Sequence, residues 1–199
     1  MKILFLTNKK AENKEEIIDF IEMYGDEVII CYDKFDKEYV KSKKVDFIVS
    51  DRYSNLVPKD ALDYLNGKAI NTHPSLLPLN VGWQPNFFSI YNDTKTGVTI
   101  HYMDEEIDTG DIIIQQELFF NDQDTLRTTH YICRRAIIHI FCSNWYKIKN
   151  NDIKSIPQPK EGNTNYKKDF ERIFSQFPKG WDTTVNEIKH FRKEIKGIV

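Results

Sequence analysis

An asparagine, a histidine and a later aspartate are the residues of this chain whose types and spacing suit catalysis. Asn71 and His73 end the stretch KAINTH, and Asp108 stands in the acidic loop DEEIDTGD. A histidine can take a proton from an attacking amine near neutral pH. A carboxylate can hold its second ring nitrogen, and an asparagine NH2 can donate to a carbonyl oxygen that gains charge. Together they predict direct acyl transfer to an amine, without a covalent nucleophile.

The same residues also have ordinary structural interpretations. Asparagine is a frequent turn former, and the acidic loop can be a solvated connection between strands. His101 lies inside a strand pattern, where we interpret it as a packed residue. The remaining histidines lie on predicted helices and are interpreted as structural or surface residues: His130, His139 and His190. From the residues alone, both interpretations of Asn71 and His73 stay open.

Short apolar stretches alternating with helical patterns must position these residues. Strands are predicted at 2–6, 27–31, 46–50, 68–71, 97–103 and 112–118, and helices at 15–23, 58–65, 84–91, 124–149 and 183–195. This alternation over the first half is typical of a parallel α/β sheet, in which ligands bind at the carboxyl ends of the strands. Asn71 and the acidic loop each follow a strand, so we expect them to converge at one edge.

Length and composition indicate one globular domain with an appendage. We predict a catalytic domain over residues 1–150 and, over 151–199, a C-terminal extension with a helix packed on the core. The net charge of -2 and pI of about 6.2 argue against a nucleic-acid partner. Three cysteines without metal-type spacing predict a reduced, cytoplasmic setting and no metal site. No signal peptide or membrane span is expected.

The loop after the first strand, TNKKAENKEE, contains no glycine. A dinucleotide fingerprint needs glycines at this place, because the backbone must approach the pyrophosphate closely. The sequence therefore argues against a nicotinamide-dependent dehydrogenase.

The motifs INTHPSLLP and GVTIHYMDEEIDTGDIIIQ resemble those of the 10-formyltetrahydrofolate-dependent formyltransferase family. The resemblance is close over residues 45–120 and holds only in outline elsewhere. It implies an α/β fold, with a Rossmann-like, mostly parallel sheet flanked by helices and a short C-terminal extension. It also implies that Asn71, His73 and Asp108 are catalytic, that the formyl donor is 10-formyltetrahydrofolate, and that no metal takes part.

The resemblance further implies where the two substrates bind. The pterin is expected in a cleft between the loop after the third strand and the acidic D-x-G loop, with these contacts: Tyr53, Asn55, Leu56, Val57, Met103, Asp104 and Asp108. The expected acceptor contacts are Lys9, Lys10, Trp83 and Phe87. A solvated surface pair is the alternative for the two lysines, and core packing is the alternative for Phe87 and its neighbour Phe88.

Three branches of the family differ in the acceptor amine. Glycinamide ribonucleotide transformylase holds phosphate with a glycine-rich loop after the first strand, which this sequence lacks. Methionyl-tRNA formyltransferase carries a second, C-terminal domain, for which the chain is expected to be too short and too acidic. GWQPNFFSI is similar to the G-W-x-P-x-x-F-S-I stretch of nucleotide-sugar N-formyltransferases, and NTNYKKDFE to the tyrosine-and-basic segment that follows their core. The sequence thus favours a dTDP-linked amino-dideoxy sugar as acceptor.

Such a sugar would serve a bacterial surface polysaccharide, for example the O-antigen of lipopolysaccharide. Glycinamide ribonucleotide transformylase and a catalytically silent folate or nucleotide-sugar binding protein stay as alternatives. The intact set of Asn71, His73 and Asp108 argues against the silent protein. The expected partner is a small nucleotide-sugar molecule, with no nucleic acid and no membrane, and a homodimer is left open.

Overall fold

A computed structural model describes residues 1–195, which form two compact units. Unit 1 comprises residues 1–73, 100–114 and 138–158, and unit 2 comprises, among the described residues, 74–99, 115–137 and 159–195. Each unit groups residues that contact one another and is made of several separate segments of the chain. The predicted division at residue 150 is a boundary in the sequence, and it stays a prediction. None of the helices in the described part is long and apolar enough to cross a membrane.

Eight strands and seven α-helices, with one 3-10 helix, occur within these described residues. The strands are β1 (Lys2–Leu6), β2 (Glu27–Cys31), β3 (Phe47–Asp51), β4 (Ala69–His73), β5 (Val81–Gly82), β6 (Thr96–Tyr102), β7 (Ile112–Leu118) and β8 (Thr164–Asn165). The helices are α1 (Lys14–Met23), α2 (Lys37–Lys43), α3 (Lys59–Tyr64), α4 (Pro85–Tyr91), α5 (Leu126–Lys149), α6 (Lys167–Phe174) and α7 (Val185–Ile195), and the 3-10 helix is Gly180–Asp182.

Six strands form one sheet in the order β2-β1-β3-β4-β6-β7. The pairs β1–β2, β1–β3 and β3–β4 are parallel, so the predicted α/β class with a mostly parallel sheet is confirmed. The central strands are continuous apolar runs because both of their faces are covered. In unit 1 the core under α2 and α3 contains Leu4, Leu6, Val40, Ile48, Val57, Ala61, Leu62, Leu65 and Ala69.

Strand β6 runs antiparallel to β4, which differs from the sequence expectation. The Met103 amide donates to the Ala69 carbonyl at 2.9 Å, and the His101 side chain lies beside that of Asn71. The end of β6 therefore meets the start of β4. The two loops follow carboxyl ends and converge as expected, since Asp108 reaches Asn71. Only the expectation that these ends share one edge was wrong, because an apolar run carries no sign of strand direction.

Unit 2 has an aromatic core of its own. Phe87 on α4 packs against Phe170 and Phe174 on α6 and against Phe177 after it, with ring centroids 5.2 to 6.2 Å apart. The short strands β5 and β8 pair in parallel nearby in the same unit. The predicted helix at 183–195 corresponds to α7, while α6 and the β5–β8 pair were not predicted.

Candidate active site

Three neighbouring strands place polar side chains on one face of the sheet. Ser50 on β3 pairs in register with Asn71 on β4, and the Asn71 amide nitrogen is 3.2 Å from His101 Nε2 on β6. Successive side chains of a strand point to opposite faces, so residues two apart share a face. This periodicity explains the spacing of Asn71 and His73, which turns both toward the same side.

Asp108 joins Asn71 and His73 into one cluster within unit 1. One carboxylate oxygen, Oδ1, is 3.1 Å from Asn71 Nδ2, and the other, Oδ2, is 3.3 Å from His73 Nδ1. A carboxylate only accepts hydrogen bonds when ionised, so the His73 Nδ1 that faces Asp108 carries a hydrogen. The structure thus brings together the three residues that the sequence singled out as catalytic.

The D-x-G motif explains how the loop after β6 reaches back to this cluster. Asp108 has a φ of 57°, a left-handed conformation that aspartate tolerates better than most residues. Gly110 lies so close to the Tyr102 carbonyl that a Cβ atom would clash with it. The Gln158 side chain donates to the Asp108 carbonyl at 2.8 Å. These contacts fold the loop onto the face of the sheet and fix the Asp108 carboxylate there.

His101 belongs to the same cluster, although sequence reasoning assigned it to packing. Its Nδ1 lies 2.7 Å from the Tyr102 carbonyl, and its Nε2 faces the Asn71 amide. The residue is 2% exposed, so it is also a packed histidine. A histidine next to the last residue of the strand that leads into the D-x-G loop was the signal that could have identified it.

The direction of the Asn71 amide differs from the sequence expectation. Its NH2 group was expected to face a carbonyl under attack, yet it donates to Asp108 Oδ1 at 3.1 Å and its nitrogen lies 3.2 Å from His101 Nε2. The Asp108 carboxylate and the His101 imidazole are thus both neighbours of the Asn71 NH2 group. The carbonyl oxygen is therefore the part of Asn71 that is left for a ligand.

A cavity of about 170 Å³ opens beside the cluster. All seven residues expected to contact the pterin line it, together with Ser50, Asn71 and His101. Leu56 and Ile107 are apolar residues of the lining, while Ser50, Ser54 and Asn55 are polar ones. A flat heteroaromatic ring with several donors and acceptors suits such a lining. Among residues 1–195, no group of three His, Cys, Asp or Glu side chains is arranged to hold a metal ion.

The residues expected to bind the acceptor differ in their surroundings. Phe87 is 1% exposed within the aromatic core, so its ring has no open face for a sugar, which supports the packing interpretation. Lys9 and Lys10 are exposed in unit 1, and Lys9 Nζ is 5.9 Å from the centre of the Tyr32 ring. In unit 2, Trp83 is 41% exposed. Trp83 and the two lysines thus keep surface that a ligand can reach.

Trp83 has an aromatic and basic neighbourhood that the sequence showed only in outline. Its backbone amide donates to the Asn165 carbonyl at 3.0 Å, at the end of the β5–β8 pair, so Trp83 and Tyr166 each directly follow one of these strands. Lys167 Nζ lies 5.7 Å from the Trp83 ring centre, and Lys168 Nζ lies 5.8 Å from that of Tyr166. The exposed rings of Trp83 and Tyr166 therefore each have a lysine ammonium group within 6 Å of the ring centre.

Comparisons with known proteins agree with this geometry. A family model described as formyl transferase matches residues 31–136. The chain is 39% identical to the formyltransferase PseJ from Anoxybacillus kamchatkensis, whose structure holds UDP-4,6-dideoxy-4-formamido-L-AltNAc and tetrahydrofolate. That similarity covers 94% of this chain and 97% of the other, with a TM-score of 0.88.

Two curated relatives come from different branches of the family. The methionyl-tRNA formyltransferase of Fusobacterium nucleatum is 32% identical over 162 residues, which is 81% of this chain and 51% of that protein. The dTDP-4-amino-4,6-dideoxyglucose formyltransferase of Mycobacterium tuberculosis is 30% identical over 131 residues, 66% of this chain and 55% of that protein. The chain thus spans about half the length of these curated relatives.

Proposed function

We propose that this chain, which belongs to the formyl transferase family, is an N-formyltransferase that moves the formyl group of 10-formyltetrahydrofolate to the amine of a nucleotide-linked amino sugar. The observation that carries the proposal is the cluster of Asn71, His73, His101 and Asp108 beside a cavity lined by every residue expected to contact the pterin. The similarity to PseJ, solved with a formamido sugar and tetrahydrofolate, supports it.

In the proposed reaction the sugar amine attacks the formyl carbon, a C–N bond forms, and the bond from that carbon to N10 of the folate breaks. The amine proton passes through His73 Nε2, or a water bound to it, and ends on N10. Protonated His73 donates to the formyl oxygen while that oxygen carries negative charge. Asp108 holds His73 Nδ1 at 3.3 Å, which fixes the ring orientation and stabilises the imidazolium.

For the acceptor, we propose that Trp83 contacts the nucleotide, with Tyr166, Lys167 and Lys168 around it. Exposed aromatic rings stack on nucleobases irrespective of base identity, and ammonium groups attract phosphate charge. Both UDP and dTDP have a pyrimidine base and two phosphates. The relatives support either one, since PseJ was solved with a UDP-sugar and the Mycobacterium tuberculosis enzyme is named for a dTDP-sugar. We further propose a cytoplasmic setting and a role in bacterial surface polysaccharides such as O-antigen.

The proposed function is tested by an acceptor panel. UDP- and dTDP-linked amino-dideoxy sugars, glycinamide ribonucleotide and methionyl-tRNA are each incubated with 10-formyltetrahydrofolate, and tetrahydrofolate release is followed together with the mass of the product. We expect kcat/KM for one nucleotide sugar to exceed that for the other two acceptor classes by at least about 100-fold, because a site that pairs polar substrate groups rejects analogues lacking them. Preference for glycinamide ribonucleotide or tRNA would overturn the branch but keep the chemistry.

Trp83→Ala is expected to raise KM for the nucleotide sugar by about tenfold and to leave kcat nearly unchanged, because loss of one stacked base costs about 1–3 kcal/mol of binding. Steady-state kinetics at saturating formyl donor measures both constants. Tyr131→Ala is the matched control, since Tyr131 on α5 is an exposed aromatic residue of the same unit. An unchanged KM in the Trp83 variant would remove Trp83 from the acceptor site.

Gly110→Ala is expected to lower kcat by about 100-fold, because the added methyl group displaces the loop that carries Asp108, and misplacement by about 1 Å has effects of this size. The clash with the Tyr102 carbonyl is the physical reason. Glu105→Ala is the control, since Glu105 is an exposed residue of the same loop and is not part of the cavity lining. Equal kcat for wild type and the Gly110 variant, at equal thermal stability, would contradict the role given to this glycine.

A further inference from the structure

The tautomer of a neutral His101 ring follows from its contacts. Its Nδ1 is 2.7 Å from the backbone carbonyl of Tyr102, which can only accept a hydrogen bond, so Nδ1 carries a hydrogen. The nearest polar neighbour of Nε2 is the Asn71 amide nitrogen at 3.2 Å, while the Asp108 carboxylate is 3.6 Å away, beyond hydrogen-bond distance. A hydrogen on Nε2 would face the Asn71 N–H, donor against donor. For a neutral ring, the contacts thus favour the tautomer with hydrogen on Nδ1 and an Nε2 that accepts from Asn71.

The Asn71 amide has one favourable orientation in this setting. Its nitrogen has Asp108 Oδ1 at 3.1 Å and His101 Nε2 at 3.2 Å, and both are acceptors. If the amide were turned over, its carbonyl oxygen would lie against a carboxylate oxygen and the lone pair of the imidazole. Two favourable contacts would then become two repulsive ones. His101 and Asp108 therefore act together as a clamp on the NH2 group.

We propose that His101 is a positioning residue for formyl transfer, which holds the Asn71 amide so that its carbonyl oxygen, rather than its NH2 group, faces the reacting groups. That oxygen accepts a hydrogen bond from an N–H of the acceptor amine and so directs the amine lone pair toward the formyl carbon. The inference rests on the proposed function and departs from the oxyanion-donor role that residue type alone predicts for Asn71. His73 is then the main residue that stabilises the negative charge on the formyl oxygen.

The ring state is tested without any assay of activity. Nitrogen–proton correlation spectra of the ¹⁵N-labelled wild-type protein distinguish the two neutral forms of a histidine ring, and His101 is assigned by loss of its signals in a His101 variant. We expect a protonated Nδ1 and an unprotonated Nε2. A hydrogen found on Nε2 would overturn the proposal, because that nitrogen would no longer be an acceptor for Asn71.

Two variants separate positioning from packing. In His101→Gln the side-chain carbonyl occupies roughly the place of Nε2 and can still accept from Asn71. In His101→Asn the shorter amide lies near the place of Nδ1, so it keeps the Tyr102 contact and loses the contact to Asn71. We expect kcat to fall by about 10- to 100-fold in His101→Asn, with KM for the formyl donor little changed, and most of that loss to be recovered in His101→Gln.

The outcomes also distinguish this proposal from the proposed function. If wild-type protein transfers no formyl group to any acceptor of the panel, the function fails while the ring state is still measured. If transfer occurs and both variants lose the same fraction of kcat, the acceptor at Nε2 is not what matters and the positioning role is overturned. Should His101→Asn not fold, the spectra of wild type and a kcat of His101→Gln close to wild type decide the question.

Discussion

Replacing His73 by asparagine is expected to lower kcat for formyl transfer by about 10²- to 10⁴-fold while the protein stays folded, because the variant loses its general acid–base group. The asparagine amide lies near the place of Nδ1 and can still donate to Asp108 Oδ2, which is 3.3 Å from that nitrogen in the wild type. The variant lacks Nε2, the nitrogen that we propose relays the amine proton.

The measurement is kcat with a nucleotide amino sugar at saturating 10-formyltetrahydrofolate, together with the Kd for tetrahydrofolate by titration. We expect the Kd to change little, because His73 is absent from the lining of the cavity proposed for the pterin. His139→Asn makes the same chemical change at an exposed histidine on α5 and should behave like wild type. Turnover of the His73 variant close to that of the control would remove His73 from the mechanism.

Local periodicity made much of the site predictable. A strand repeats every two residues, so Asn71 and His73 had to share a face wherever the strand lay. The cavity is lined by short segments, over 53–57, 103–104 and 106–108, so the family resemblance that pointed to these two loops also pointed to their residues. Features that depend on residues close together in the sequence, such as the shared face of Asn71 and His73, could therefore be predicted.

The direction of strand β6 could not be predicted from the sequence. The run GVTIHYM fits either direction of β6, because apolar pairing and alternation are the same in both. The two loops do bring Asn71 and Asp108 together, but through a loop that folds back over the sheet face rather than through a shared edge. The role of His101 was hidden for the same reason, since only the antiparallel pairing sets it beside Asn71.

Short elements and distant packing partners were missed as well. Helix α2 buries only Val40, so it has almost no apolar period, although Asp36 caps it by accepting from the Tyr39 amide at 2.8 Å. Phe87 was a candidate for ligand contact because it lies in an aromatic loop sequence. Its packing partners, Phe170 and Phe177, are more than 80 positions away in the sequence, so no local pattern shows that they cover it.

Asn71→Asp is expected to reduce kcat more than Asn71→Ala, although aspartate has nearly the shape of asparagine. Alanine removes the amide and its positioning, for which we expect a loss of at least about 100-fold. Aspartate places an oxygen where the NH2 group was, 3.1 Å from Asp108 Oδ1 and 3.2 Å from His101 Nε2 in the wild type. Two carboxylates at this separation cannot both ionise, so one must take a proton.

That shared proton disturbs the whole cluster, because Asp108 also orients His73. A partly neutralised Asp108 stabilises the His73 imidazolium less, so the aspartate variant loses the function of two residues where alanine loses that of one. Asn66→Asp repeats the chemical change at an exposed position of unit 1 and should leave kcat unchanged. Thermal unfolding of all three variants checks that they are folded. A kcat for Asn71→Asp at or above that of Asn71→Ala would show that the NH2 group does not bridge Asp108 and His101 in the working enzyme.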